Sequence, residues 1–321
     1  PDEPGALPIG LVRRLELVRR EKVDLVVSAK EFDSNIPAYD QTPSFWHVRV
    51  EERERLRELA VVIHVSLDMP DDAGWSIQCG LHRAADALGT CCVGTREVLR
   101  NHGQPHVFEY WPGWDQAART PTPAASERPV DFVFVGSPYL KPNDDFGIPR
   151  RDVVLAALGL GLSVELYGSS DWLDERLGGN PSLAAVYKGP ADFDRLHEIY
   201  SRAKIGYSSF LRRGFRYLND RVPIVAGSGA FVLMEEQAGL EGEFPEGVMA
   251  GYHKRGDLES LRDRLAYWRE HNDERVAAAE RMQAHVLARH TWGARAALLA
   301  AEYELALARR KAKRASCCGG G

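Results

Sequence analysis

Apolar residues recur along this chain in two alternating rhythms. In IGLVRRLELVRREK (9–22) they fall three and four apart, the spacing of a helix with one buried face, and VDLVVSA (23–29) follows as an apolar run of strand length. The charged helix pattern VEERERLRELA (50–60) feeds VVIHVSLD (61–68), again strand-like. IQCGLHRAADALG (77–89) reads as a helix, TCCVGT (90–95) as a short strand, REVLRNHG (96–103) as a helix closed by Gly103, and PHVFEYWP (105–112) as a fourth strand. Strands that alternate with helices of this length predict βαβ units and a parallel sheet.

A stretch rich in Pro, Ala, Ser and Thr, DQAARTPTPAASERPV (115–130), then interrupts the alternation and reads as a linker. Beyond it the pattern restarts. DFVFVGS (131–137), LSVELYGSS (162–170), LAAVYKG (183–189), KIGYSSF (204–210) and AFVLM (230–234) read as strands. RRDVVLAALGLG (150–161) and DFDRLHEIYSRA (192–203) read as helices between them, and three helical patterns fill 257–310. The fold class this predicts is α/β: two Rossmann-like parallel-sheet domains facing across a cleft, with a C-terminal helical run. The expected division is an acceptor-side domain over 1–114, the linker over 115–130 and a ligand-binding domain over 131–290. A helix over 291–312 is expected to pack back on the first domain, ahead of a flexible tail over 313–321.

Composition narrows the setting. At 321 residues, 44% hydrophobic and 27% charged, the chain has enough apolar material for two ordinary cores. No apolar run approaches the ~18 residues of a membrane span, and PDEPGALPIG at the start has no basic stretch leading into an apolar core. The formal charge of −5 leaves any polyanion contact to local patches. Two basic clusters stand out, LRRGFRYLNDR (211–221) and ARRKAKRA (308–315), the second read as a solvated tail. The five cysteines, two adjacent pairs and a singleton, fit neither a disulfide framework nor a zinc module. A reducing, cytoplasmic compartment is therefore expected.

In open α/β sheets, ligands bind beyond the carboxyl ends of the strands, which directs attention to the residues just after them. Gly136-Ser137 follows the first strand after the linker; glycine lets backbone amides approach an anion, although a plain turn accounts for it equally. Arg150 opens the next helix and Arg221 sits in the first turn of a short one, DRVPIVAG, which Asn219 or Asp220 can cap. Cations at helix starts run against the helix dipole unless an anion lies between them, and two such starts on one domain edge point to a diphosphate. Tyr167-Gly168 and Tyr187-Lys188 follow other strands, where an aromatic ring can stack on a nucleobase or simply cap the core. Ser228-Gly229 closes the short helix.

The order and spacing of FVFVGS, the arginine-led helix, VELYG, VYKG, LHEIYSRAKIGYS, Arg221 separated by seven residues from GAFVL, GDLESLRDRLAYW and ARHTWGAR resemble the donor-binding half of GT-B glycosyltransferases. The similarity is greatest to the group-1, spore-maturation-protein-B-like (CgeB-like) set and covers about 131–296, roughly half the chain. It implies a nucleotide-diphosphate sugar as donor substrate, a UDP-sugar foremost, and no separate cofactor. Gly136, Ser137, Arg150 and Arg221 would then face the diphosphate, with Tyr167, Gly168, Tyr187 and Lys188 near the nucleoside. The resemblance also implies a glutamate three residues after the arginine. This sequence has Ile224 there, and Glu235 or Glu236 is the candidate replacement from the next strand end.

Transfer to an acceptor hydroxyl needs a base, and Asp68, closing HVSLDMPDD, is the first candidate, with His64 the second. His64 also reads as an ordinary buried histidine. No DxD stands at a strand end, so metal-independent chemistry is expected. Trp46, Trp75, Trp111 and Trp114 are candidates for stacking on an acceptor or for core packing. The acceptor stays open between a glycan, a protein and modified DNA, the last using LRRGFR as a phosphate strip. A nucleotide-sugar-binding protein without transfer activity is the reading from another class.

Overall fold

The protein is described by a computed structural model covering residues 18–30, 50–66, 85–115, 127–138, 147–175, 179–210, 216–240, 243–244 and 251–318. The chain forms two compact units, Pro1–Trp111 together with Arg295–Gly321, and Pro112–Ala294. Each is built on its own parallel sheet.

In the first unit β1 (Leu25–Lys30), β2 (Val61–Ser66), β3 (Ala87–Thr90) and β4 (Val107–Glu109) lie side by side in chain order, all parallel. Helix α1 (Val50–Leu59) leads into β2 and α2 (Gly94–Asn101) joins β3 to β4. The apolar run of β2 is explained by burial on both faces, as parallel strands require. Val61, Ile63 and Val65 pack with Phe108, Tyr110 and Ala306, while Val62 packs with Val18, Leu56 and Ala60 on the other side. His64 shares the even-numbered face with Val62 and is buried inside the strand.

In this unit two elements differ from the sequence expectation. The third strand is Ala87–Thr90, not 90–95, so what reads as the end of a helix is the strand itself. Thr90 and Thr95 share a hydroxyl–hydroxyl bond of 3.0 Å, and the Thr95 hydroxyl donates to the Cys92 carbonyl at 2.7 Å. These side chains compete with the sheet for the backbone and close a turn, in which Cys91 and Cys92 are buried.

The basic cluster at 308–315 is likewise not a tail: helix α9 spans Trp292–Cys318. Arg310 donates to both Asp86 carboxylate oxygens, at 3.0 and 2.6 Å, and to the Ala60 carbonyl at 2.9 Å. Asp86 also accepts from the Val62 amide at 2.8 Å and from Arg57 at 3.3 Å. Burial alone would raise the Asp86 carboxyl, but these donors outweigh it and hold its pKa below the ordinary value. Asp86→Ala is therefore expected to cost about 2 kcal/mol, less than a fully buried pair because water reaches Arg310. Because the folded pKa is depressed, the stabilisation is present above the unfolded value near ~4 and is lost as pH falls through the lower folded value. Urea unfolding of the native chain and Asp86→Ala at neutral pH and near pH ~3 checks both statements, the two curves converging in acid.

In the second unit six parallel strands run in the order β10-β9-β8-β5-β6-β7. They are β5 (Val130–Val135), β6 (Val164–Tyr167), β7 (Tyr187–Gly189), β8 (Ala203–Ser208), β9 (Phe231–Glu235) and β10 (Tyr252–His253). The first strand is central, the next two lie on one side of it and the last three on the other. The direction of winding thus reverses between β5 and β8, which is the switch point where doubly wound sheets open for ligands.

The connecting helices are α3 (Arg150–Gly159), α4 (Pro181–Val186), α5 (Leu196–Ser201) and α6 (Arg221–Gly227), followed by α7 (Leu258–Glu270) and α8 (Asn272–Arg289). LAAVYKG contributes only Tyr187–Gly189 to the sheet. The Asn180 side-chain oxygen accepts from the Leu183 amide at 3.0 Å and Pro181 takes the first turn, so the apolar run becomes a helix. Phe132, Phe134, Leu166, Tyr207 and Leu233 form the centre of the core, with Val153 and Val154 of α3 over one face.

Candidate functional site

At the switch point the chain leaves β5 through Gly136-Ser137 and β8 through Ser209, while α3 and α6 start there with Arg150 and Arg221. Arg150 is buried. Its Nε donates to the Ser209 hydroxyl at 2.9 Å, and its Nη1 donates to the Ser137 carbonyl at 3.0 Å. Arg221 donates from Nε to the Val135 carbonyl at 2.9 Å and keeps its side chain one-quarter exposed. A methyl carbon placed on Gly136 would stand 3.3 Å from Arg221 Nη2 and 3.4 Å from Arg150 Nη1. Two guanidinium groups therefore converge over one glycine. Asp220 approaches Arg221 Nη1 only to 3.9 Å.

The glycine is needed on conformational grounds as well. Gly136 has φ +152°, its amide donates to the Tyr167 carbonyl at 2.9 Å, and its own carbonyl accepts from Trp172 Nε1 at 2.7 Å. Gly168, with φ +151°, passes so close that a side chain there would strike the Gly136 carbonyl. The Tyr187 hydroxyl donates to the Gly168 carbonyl at 2.9 Å. Tyr167 donates to Glu165 at 2.8 Å, and burial together with that carboxylate raises its pKa to about 12, so it stays protonated at neutral pH. Lys188 lies exposed on the edge strand β7.

Gly136, Ser137, Arg150 and Arg221 thus come together, with Gly168 and Tyr187 adjoining through the Gly136 peptide. Ser228 and Gly229 do not join them. They terminate α6 at the end opposite Arg221, where the Ser228 hydroxyl donates to the Ile224 carbonyl at 2.7 Å and Gly229 has φ +75°. Glu235 is engaged within the protein. Its Oε1 accepts from the Ile148 amide at 2.8 Å and its Oε2 from Arg255 at 2.9 Å, and Gly147 leaves the space for it. It thereby holds the loop that delivers Arg150. Ile224 is buried in α6.

Two contributors are not singled out from sequence, and a third, Asn219, reads there only as a candidate cap. Ser209 follows β8 as an unremarkable small residue, and Gly147 matters only for the room it leaves Glu235. Asn219 is not the cap of α6, which begins after Asp220 without a side-chain cap. Its side chain accepts from the Ser208 hydroxyl at 2.9 Å and donates to the Ser209 carbonyl at 2.9 Å, tying the residues just before Arg221 to the end of β8. The serine pair after KIGY was the only trace of this network in the sequence. Asp68, Trp46, Trp75 and 211–215 of the basic strip lie outside the described residues. Trp111 and Trp114 are buried, and Trp114 fills the space that Gly227 leaves open.

Residues 150–301 match a family model described as glycosyl transferase-like, a span that begins at Arg150 itself and includes Arg221. Over that span, just under half of the chain, the sequence is similar to glycosyl transferase-like domains. Solved structures agree on the fold over nearly the whole chain. A sucrose-phosphate synthase from Thermosynechococcus elongatus aligns with TM-score 0.64 at 14% identity, over 95% of this chain and 81% of its own. A glycosyltransferase from Rickettsia africae aligns at 0.61 and 11%, over 96% and 84%. Anabaena HepE, crystallised in complex with UDP and glucose, aligns at 0.61 and 12%, over 92% and 81%. These likenesses establish the GT-B fold of two parallel-sheet α/β domains. No curated sequence relative matches the chain. Among the described residues, no helix is long and apolar enough to cross a membrane.

Proposed function

We propose that this protein transfers a sugar from a nucleotide-diphosphate sugar, a UDP-sugar foremost, to an acceptor hydroxyl. The observation that carries the reading is the convergence of Arg150 and Arg221 over Gly136 at the switch point of the second sheet. Two fixed guanidinium groups match the charge and the bidentate geometry of a diphosphate. As the bond from the sugar to the diphosphate breaks, negative charge grows on the leaving oxygen. Donors already held in place by Val135, Ser137 and Ser209 stabilise that charge without reorganising. The arginines supply the positive charge a divalent ion would otherwise bring, so the reaction in this reading is metal-independent. Asp68 is the proposed base that takes the acceptor proton, Tyr187 adjoins the nucleoside, and the subfamily is the CgeB-like set. A cytoplasmic setting belongs to the same proposal.

Ile224 favours a second reading, nucleotide-sugar binding without transfer, because no carboxylate follows Arg221 at that spacing. Thermal-shift measurements with UDP, UDP-glucose, GDP, AMP and free glucose test the donor class. UDP and UDP-glucose are expected to raise the melting temperature, AMP and glucose to leave it unchanged. No shift with any nucleoside diphosphate or sugar nucleotide would sink both readings. Stabilisation without sugar transfer or hydrolysis across an acceptor screen would leave only the second.

A further inference from the structure

We propose that Glu243, His285 and His290 form a zinc-binding site that ties the turn after β9 to the carboxyl end of α8. His285 projects from α8 and His290 is the residue that ends it, while Glu243 lies in the turn begun by Leu240. His290 Nε2 stands 3.1 Å from Glu243 Oε1 and 3.4 Å from His285 Nε2, and one ligand atom from each residue lies within 4.8 Å of the others. Four ligands held tetrahedrally at about 2.0–2.1 Å from zinc stand roughly 3.3–3.4 Å apart, so two of the three separations already suit the ion. A single Nε2 hydrogen on His290 can serve Glu243 or His285, but not both fully, whereas a cation serves all three at once.

The surroundings hold these groups in place. The Phe244 ring stacks on His290 at 5.4 Å and tilts against His285 at 5.4 Å. Arg216 reaches the other carboxylate oxygen, Oε2, at 3.5 Å, which leaves Oε1 for the ion. His285 also hydrogen-bonds the backbone of Glu243, and the His290 carbonyl accepts from the Trp114 amide at 2.6 Å. Such outer partners are what orient metal-binding histidines. Two histidines and one carboxylate suit zinc, with a fourth position left for water. The site shares no residue with the Arg150–Arg221 pair.

The test uses the full chain, stripped of metal with a chelator and titrated with Zn²⁺ by calorimetry and with Co²⁺ by visible absorption. Cys317→Ser/Cys318→Ser serves as a parallel background, because adjacent thiols compete for the same ions. One equivalent of zinc is expected in both backgrounds, with tetrahedral cobalt bands and no thiolate charge-transfer band. His285→Ala and Glu243→Gln, both partly exposed positions, are expected to lower affinity at least about tenfold. The absence of stoichiometric zinc in the native chain would overturn the proposal. So would a thiolate spectrum lost on Cys→Ser, or full affinity in His285→Ala. If a variant fails to fold by circular dichroism, the cobalt spectrum of the native chain still decides.

Discussion

Arg221→Ala is expected to weaken UDP binding by about 10- to 150-fold, the equivalent of losing about 1.5–3 kcal/mol of charge-assisted hydrogen bonding. Turnover should fall further, by about 100- to 1000-fold, if the group acts most strongly on the charge that develops as the diphosphate leaves. The variant should still fold. Arg221 is one-quarter exposed, and among the described residues its side chain meets the Val135 carbonyl and the distant Asp220, so little of the described fold depends on it. Arg221→Lys keeps the charge but loses the planar fork and the Nε bond to Val135, and should recover only part of the affinity. Calorimetric titration with UDP, and initial rates once an acceptor is known, measure both effects. Unchanged UDP affinity in Arg221→Ala would remove the arginine pair as the donor site. Arg150 is a poorer choice for this experiment, because its bonds to Ser137 and Ser209 make its loss structural as well.

Glu235→Ala is expected to lower folding stability by about 3–5 kcal/mol, because it leaves a buried arginine without its carboxylate and the Ile148 amide without an acceptor. For a domain of this size that corresponds to a fall in melting temperature of roughly 10 °C. Glu235→Gln retains an oxygen for Ile148 and should lose less. The consequence for the site follows from the same contacts. Glu235 anchors the segment running into Arg150, so UDP affinity should fall in Glu235→Ala even below the new melting temperature. The alternative role, a carboxylate gripping the sugar, gives a different pattern: native stability, native UDP affinity and weakened UDP-sugar affinity alone. Thermal unfolding alongside UDP and UDP-glucose titrations separates the two.

The α/β alternation, the restart after the linker and the strands at 61–66, 130–135, 203–208 and 231–235 were legible because each is a long apolar run bounded by turn residues. The short elements were not. Ala87–Thr90 and Pro181–Val186 are four and six residues long, too few for helical and strand periodicities to diverge, and local capping by threonines and Asn180 decided them. Likewise, charge density made 308–315 look solvated, because nothing in ARRKAKRA announces that Asp86, more than two hundred residues earlier, is waiting under Arg310.

Sequence by itself determined the architecture and the chemical types at the strand ends, since periodicity is a local property and glycines and arginines after strands are visible as letters. It put Arg150 and Arg221 into one set, but also Ser228 and Gly229, which belong to the other end of the same helix. Only the tertiary structure decided which of these meet, because the order β7-β6-β5-β8-β9-β10 brings residues 136, 150 and 221 to one point while a helix seven residues long carries Ser228 away from it. The same holds for Glu235 and for the cluster of Glu243, His285 and His290. A carboxylate at a strand end looks alike whether it faces a ligand or an internal arginine, and the partner that makes the difference is chosen by packing across the chain.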